Sequence, residues 1–379
     1  MPVSSLSDTR IAVVKLGSAL VADGSAARQS WLNSLLEDVA RYRKQGVQIV
    51  LVSSGAMALG RPLLGAEKPR KLEEKQAAAA LGQPLLMAAL AEAAKPHGLA
   101  VAQALLTLED TENRRRWLNA RATLKTLLNS GRILPVINEN DTVATDEIRY
   151  GDNDRLAARV AQMIGADTLI LLSDIDGLYT ADPRVDKTAD HVPEVTSLSQ
   201  DIFDMAGEAN ADRGVGTGGM VTKLAAAQIA WAAGCRTAIT LGFTDHPLSS
   251  LDGGARATWF KPPLNPETAR QAWLSGHLSP EGVVHVDAGA AGALRGRASL
   301  LPVGVTRVDG GFERGAAVSV KDQHGIELGR GITAYSAEDI RQIAGLQTDE
   351  MEQVLGYRGR PAVIHRDDLI LIGNDNFGA

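Results

Sequence analysis

Through its first two thirds the chain alternates short apolar runs with segments of helical period, and no other feature restricts its fold as much. Ile11-Ala12-Val13-Val14-Lys15-Leu16 reads as a buried strand running into Gly17-Ser18. Trp31, Leu32, Leu35, Leu36, Val39 and Tyr42 recur at helical spacing, and that helix stops at Gly46. Residues 47–52 form the next apolar run. An alanine-rich helix is expected over 73–95, with Pro84 marking a break or kink. Residues 101–106, 133–137, 168–172 and 237–240 add further strands. Repeated alternation of this kind builds a mostly parallel sheet sandwiched by helices. Ligands of such sheets bind beyond the carboxyl ends of the strands. Three polar clusters fall at such ends: Ser53-Ser54-Gly55, Asn138-Glu139-Asn140-Asp141 and Ser173-Asp174.

The chemistry these clusters could serve is suggested by a glycine-rich segment, Gly214-Val215-Gly216-Thr217-Gly218-Gly219-Met220-Val221-Thr222-Lys223, which leads into an alanine-rich helix. Glycines let backbone N–H groups approach an anion, and a helix start adds partial positive charge. Lys223 adds a full one. The spacing also satisfies G-x-G-x-x-G, but no apolar strand runs directly into it, as a dinucleotide fold requires. A Walker loop is excluded because Lys223 is followed by Leu224. Lys15 is the second cation of interest, since it interrupts a strand expected to be buried, and a buried lysine needs an anionic partner. Phosphoryl transfer asks for such cations and little else. Asp152-Asn153-Asp154 precedes a helix; an N-cap with an acidic first turn and a Mg²⁺-binding D-x-D both fit it. Turn formation alone would need only one or two of the four polar residues at 138–141.

Composition excludes several function classes. The net charge of −6 gives no global attraction to nucleic acid. No run approaches the ~18 uninterrupted apolar residues of a membrane helix, and the N-terminus is unlike a signal peptide. A single cysteine, Cys235, rules out an internal disulfide and reads as a buried small hydrophobe. Seven scattered histidines lack metal-ligand spacing. A cytoplasmic protein is expected.

The character of the chain changes near residue 245. Pro247, Pro262, Pro263 and Pro266 suggest a linker region. Short strands then follow at 283–286, 317–320 and 327–333, with a strong turn signal at Val308-Asp309-Gly310-Gly311. A helix over 337–344 precedes a last strand around 361–365. The expected division is a larger α/β domain over 1–262, a linker over 263–280, a small β-rich domain over 281–359, and a C-terminal strand and tail over 360–379. His365-Arg366-Asp367-Asp368-Leu369 echoes a protein-kinase catalytic loop, but no activation segment can follow it, so the match is coincidental.

Lys15-Leu16-Gly17-Ser18, Ser53-Ser54-Gly55-Ala56, Val136-Ile137-Asn138-Glu139-Asn140-Asp141, Gly151-Asp152-Asn153-Asp154, Ser173-Asp174-Ile175-Asp176-Gly177-Leu178-Tyr179-Thr180 and Thr217-Gly218-Gly219-Met220-Val221-Thr222-Lys223 together resemble the amino-acid kinase family. With the C-terminal extension, the set resembles its glutamate 5-kinase branch, whose longer members end in a PUA domain, a small β-barrel-like module found in RNA-modifying proteins. Departures are small: Ser53 stands where threonine is also common, and Val221 where a small polar residue often occurs.

The resemblance implies an amino-acid kinase fold followed by a PUA-like domain, and ATP-dependent phosphorylation of the γ-carboxylate of L-glutamate as the first step of proline biosynthesis. It implies that Lys15 and Lys223 hold the phosphates and the transferring group while Asp154 orients both lysines. Glutamate would be bound by Ser54, Gly55, Asn138, Asp141 and Asn153, with Asp141 facing the α-ammonium. ATP would be bound by Lys15, Ser173, Asp174, Thr217, Gly218, Gly219, Met220, Val221, Thr222 and Lys223. Mg²⁺ would be carried by phosphate oxygens and water, without a named protein ligand. The family further implies inhibition by proline, homo-oligomers built on the kinase domain, and handover of the product to glutamyl phosphate reductase. Acetylglutamate kinase, aspartokinase and uridylate kinase share the fold, but the residues at 138–141 and the C-terminal module set this chain apart from them. In that module His285, Arg295, Arg297, Arg307, Arg314, Lys321 and Arg330 are offset by Asp287, Asp309, Glu313, Asp322 and Glu327, so no basic patch for RNA is legible.

Overall fold

The computed structural model of the 379-residue chain describes residues 6–24, 26–65, 69, 71–143, 153–206, 219–269 and 280–372. The chain forms two compact units, Met1–Glu267 and Thr268–Ala379.

The first unit is built on an eight-stranded sheet of β1 (Ile11–Leu16), β2 (Gln48–Ser53), β3 (Ala100–Leu106), β4 (Ile133–Glu139), β5 (Thr168–Ser173), β6 (Glu194–Val195), β7 (Arg236–Leu241) and β8 (Ala257–Phe260). Their spatial order is β6-β8-β7-β5-β1-β2-β4-β3, and only β7 and β8 run antiparallel. The sheet is therefore mostly parallel, as the alternation of apolar runs and helices requires. Along β1 the side chains alternate between two cores. Val14 and Leu16 join Ile49, Leu51 and the buried stripes of α1 (Gln29–Lys44), α2 (Ala56–Gly60) and α3 (Leu72–Ala94). Val13 joins Val50, Leu171 and the apolar faces of α4 (Arg114–Asn129), α5 (Asn153–Ile164) and α6 (Met220–Ala232). Lys15, two residues on from Val13, faces the same layer, where α5 and α6 pack side by side.

Two expectations are corrected here. Helix α3 runs unbroken through Pro84. Pro84 and Ala80, whose carbonyl loses its helical partner and is crowded by the ring, both lie on the exposed side, away from the core. This helix has the length and composition of a membrane span, but Leu86, Leu90, Ala93 and Ala94 pack it into the core. The proline-rich stretch after 245 is not all linker. Pro247 opens α7 (Pro247–Asp252), where its missing N–H costs nothing, and β8 belongs to the large sheet. Cys235 is buried as expected, and burial pushes its thiol pKa up.

In the second unit five strands, β9 (Gly282–Val286), β10 (Val305–Asp309), β11 (Ala317–Lys321), β12 (Glu327–Ile332) and β13 (Leu369–Leu371), lie in the order β10-β9-β11-β12-β13. Helices α8 (Ala288–Arg295) and α9 (Ala337–Ile343) contribute Leu294, Ile340 and Ile343 to its core. The expected strand near 361–365 is only an isolated bridge from Ile364 to Leu300, and the last strand lies later, at β13. Val363 and Ile364 are nonetheless core residues of this unit. The turn after β10 depends on Gly310, whose φ of +92° is strained for any residue with a side chain. His365 accepts a hydrogen bond from the Asp367 backbone N–H within a short 3₁₀ turn, a local structural role.

Candidate active site

The carboxyl ends of β5, β1, β2 and β4, four neighbouring strands, carry the polar residues singled out from the sequence. At the centre lies Asp154, fully buried in the first turn of α5. Lys15 Nζ on β1 sits 2.6 Å from its Oδ1, and Lys223 Nζ in the first turn of α6 sits 3.4 Å from its Oδ2. Thr222 donates a hydrogen bond to the same Oδ2 at 3.1 Å. Relative exposure is 8% for Lys15 and 4% for Lys223, so neither cation is a solvated surface lysine. Burial works to raise the Asp154 pKa, but the Lys15 and Lys223 charges outweigh it and hold the carboxyl below the ordinary range. These three side chains sum to a charge of +1 in a place water scarcely reaches. Such a cluster is suited to receive an anion, because two fixed ammonium groups are already desolvated and oriented.

Beside it runs a chain of amides. Asn153, next to Asp154 on α5, donates through Nδ2 to Ser54 Oγ at 2.7 Å and to Asn138 Oδ1 at 3.2 Å. Asn138 Nδ2 in turn donates to Gln83 Oε1 on α3 at 2.8 Å. Asn138 and Glu139 are the last residues of β4, not the loop beyond it, and both are buried. Ser54 follows β2 and its N–H bonds to the Leu16 carbonyl, which ties this turn to the end of β1. Gly55 then adopts φ +103°, reachable at low cost only by glycine, and turns the chain into α2. Asp141 lies half-buried in the turn after β4, with no ion pair among the described residues. Burial pushes its carboxyl up to about 6, against the pull of its own backbone N–H.

On the other side of β1, Ser173 ends β5 and donates to Asp174 Oδ1 at 3.0 Å. Gly219, Met220 and Val221 form the N-terminal turn of α6 together with Thr222 and Lys223. Gly214, Gly216, Thr217, Gly218, Gly151 and Asp152 lie outside the described residues. Lys15, Asp154, Thr222 and Lys223 thus form one cluster, and Ser54, Asn138 and Asn153 an adjoining one. The sequence reading passed over Gln83. Its only local signal is Gly82-Gln83, a glycine and a polar residue interrupting an alanine- and leucine-rich helix.

The amino acid kinase family model matches residues 10–240, and the PUA domain model matches residues 282–355. A glutamate 5-kinase of Paramagnetospirillum magneticum is 55% identical over 98% of this chain and 100% of its own length. One from Caulobacter vibrioides is 56% identical over 94% of this chain and 95% of its own. Another, from Roseobacter denitrificans, is 51% identical over 97% of this chain and 98% of its own. With a family model covering more than half its length and relatives matched nearly end to end, the chain belongs to the amino-acid kinase family, in its glutamate 5-kinase branch.

Proposed function

We propose that this chain transfers the γ-phosphoryl group of ATP to the γ-carboxylate of L-glutamate, forming L-glutamyl 5-phosphate for proline biosynthesis. The observation that carries this reading is the buried Asp154 shared by Lys15 and Lys223, at the strand ends where an α/β sheet binds ligands. A carboxylate acceptor is already ionised at neutral pH, so the reaction asks for no general base. What it does ask for is neutralisation of charge on the moving phosphoryl group, and two lysines held by one carboxylate supply that. Asp154 acts on the substrates through the lysines: it fixes both ammonium groups and lowers the cost of keeping them buried. Ser54, Gly55, Asn138, Asn153 and Asp141 bind glutamate, with Asp141 opposite the α-ammonium. Ser173, Asp174 and the segment 217–223 bind the nucleotide.

Kinases of this kind work on a nucleotide carrying a divalent metal, and we assign Mg²⁺. Among the described residues no three His, Cys, Asp or Glu side chains cluster as a metal site, and both Asp154 oxygens face ammonium groups. That donor set fits an ion held mainly by phosphate oxygens and water, the coordination Mg²⁺ favours. When bound, Mg²⁺ adds positive charge along the phosphate oxygens.

All the residues assigned to chemistry precede residue 224, so catalysis is assigned to the first unit. Proline, which shares with glutamate an α-carboxylate and a cationic nitrogen, would compete for the Asp141 end of the site and so inhibit. A homo-oligomer through the first unit is supported by exposed Leu81 and Leu85 on α3 and Leu105 on the edge strand β3. Handover of the labile product to a reductase, in the cytoplasm, completes the proposal. The test is ADP release with a panel of acceptors: turnover is expected with L-glutamate and little with N-acetylglutamate, aspartate or uridylate. Comparable turnover of N-acetylglutamate would contradict the assignment.

A further inference from the structure

Gln83 belongs to none of the sequence motifs, yet the fold delivers it to the site by a contact only glycine permits. Helices α2 and α3 cross at Gly60 and Gly82. A Cβ on Gly82 would fall 1.7 Å from the Ala56 carbonyl oxygen, and one on Gly60 would fall 1.9 Å from that of Ala78. The two backbones therefore touch, directly after the Ser54-Gly55 turn. The residue following Gly82 is pinned beside that turn.

The amide chain fixes which way Gln83 faces. Asn153 Nδ2 donates to Asn138 Oδ1, which leaves Asn138 Nδ2 to donate to Gln83 Oε1. Gln83 Nε2 is then turned away from Asn138, buried and without a partner among the described residues. Asn153 Oδ1 is likewise buried and unpartnered among them. A buried amide donor left unmade is costly, and native structures rarely keep one unless something else fills it. One idle donor and one idle acceptor on the same amide chain, with the Asp141 carboxylate three residues on from Asn138 and without an ion pair among the described residues, match a zwitterionic amino acid.

Position decides which end of that amino acid meets Gln83. Lys15 lies on β1, Ser54 follows β2, and Asn138 ends β4, three adjacent strands spaced ~4.8 Å apart. The lysines mark the reacting end, and Gln83 reaches the site through Asn138, two strands from Lys15, so it is assigned to the other end. We infer that Gln83 is a specificity-determining residue whose Nε2 donates to the α-carboxylate of the substrate, while Asn153 Oδ1 and Asp141 take its ammonium. This rests on the glutamate reading above.

Two variants and one analogue test it. Gln83→Glu keeps an acceptor for Asn138 but replaces the donor by a negative charge; Gln83→Met has similar length, no donor and only a weak acceptor. Both should raise KM for L-glutamate about 10–10²-fold while kcat and KM for ATP stay within about threefold. Isoglutamine, the α-amide of glutamate, gives the second readout. The wild-type preference for glutamate over isoglutamine, as a ratio of kcat/KM, should fall at least ~10²-fold in Gln83→Glu, whose carboxylate accepts from the amide and repels the carboxylate. An unchanged ratio in folded Gln83→Glu, or a wild-type KM for L-glutamate in folded Gln83→Met, would overturn the role of Gln83 alone. A wild-type enzyme that ignored L-glutamate would overturn the glutamate reading and this assignment with it.

Discussion

Lys223→Ala is expected to lower kcat at least ~10²-fold, with a smaller effect on KM for either substrate. Lys223 is 4% exposed and held 3.4 Å from Asp154 in the first turn of α6. Its ammonium is therefore oriented before substrate arrives and costs no reorganisation when charge builds on the phosphoryl group. An interaction that strengthens only in the transition state shows in kcat rather than in KM. Lys223→Arg should not restore the rate: a planar guanidinium needs more room than an ammonium and would not share one carboxylate with Lys15 in the same geometry. Steady-state kinetics with each substrate varied in turn check the pair, alongside a circular dichroism melt to confirm folding. Near-normal kcat in Lys223→Ala would reduce the Lys15–Asp154–Lys223 cluster to a structural ion pair.

Asp141→Ala should act on the other parameter, raising KM for glutamate by a factor of order 10–10³ with KM for ATP near normal. The α-ammonium it is proposed to meet does not change during the reaction, so its loss removes uniform binding. The same carboxyl predicts a pH dependence. Burial lifts its pKa to about 6, so it is ionised above that pH and takes up a proton below it. A protonated Asp141 is a poor partner for an ammonium, so KM for glutamate should rise about tenfold between pH 7 and pH 5 in the wild type. In Asp141→Ala that component of the rise should be absent. A pH profile of KM that was identical in the two proteins would remove Asp141 from the ammonium site.

The residues that could be read from the sequence are those whose local setting is abnormal. Lys15 stands out because buried parallel strands are continuous apolar runs, and a lysine inside one is costly without a partner. Asn138 and Asp141 stand out because a turn does not need four polar residues in a row. The six strands β1, β2, β3, β4, β5 and β7 are legible as short apolar runs between helical segments. What the sequence hid depends on contacts between distant segments. Gln83 sits in a helix that is apolar nearly all round, so periodicity assigns it no face, and its place comes from Gly60 meeting Gly82 across two helices. That Asp154 joins Lys15 to Lys223 across 208 positions of sequence is a product of α5 and α6 packing behind β1; the family resemblance implies it, but no local pattern prints it. The proline-rich stretch misled because proline at a helix start and proline in a linker look alike one residue at a time.

The central claim is that the Lys15–Asp154–Lys223 cluster moves a phosphoryl group onto a carboxylate, and the product of that transfer has its own chemistry. An acyl phosphate is captured by hydroxylamine as a hydroxamate, whereas phosphate esters and anhydrides of nucleotides are not. Incubating the full-length protein with ATP, Mg²⁺, hydroxylamine and L-glutamate should therefore yield γ-glutamyl hydroxamate, in an amount that follows ADP and depends on both ATP and the metal. ADP release from L-glutamate without hydroxamate, or hydroxamate formed equally well with N-acetylglutamate in its place, would contradict the account.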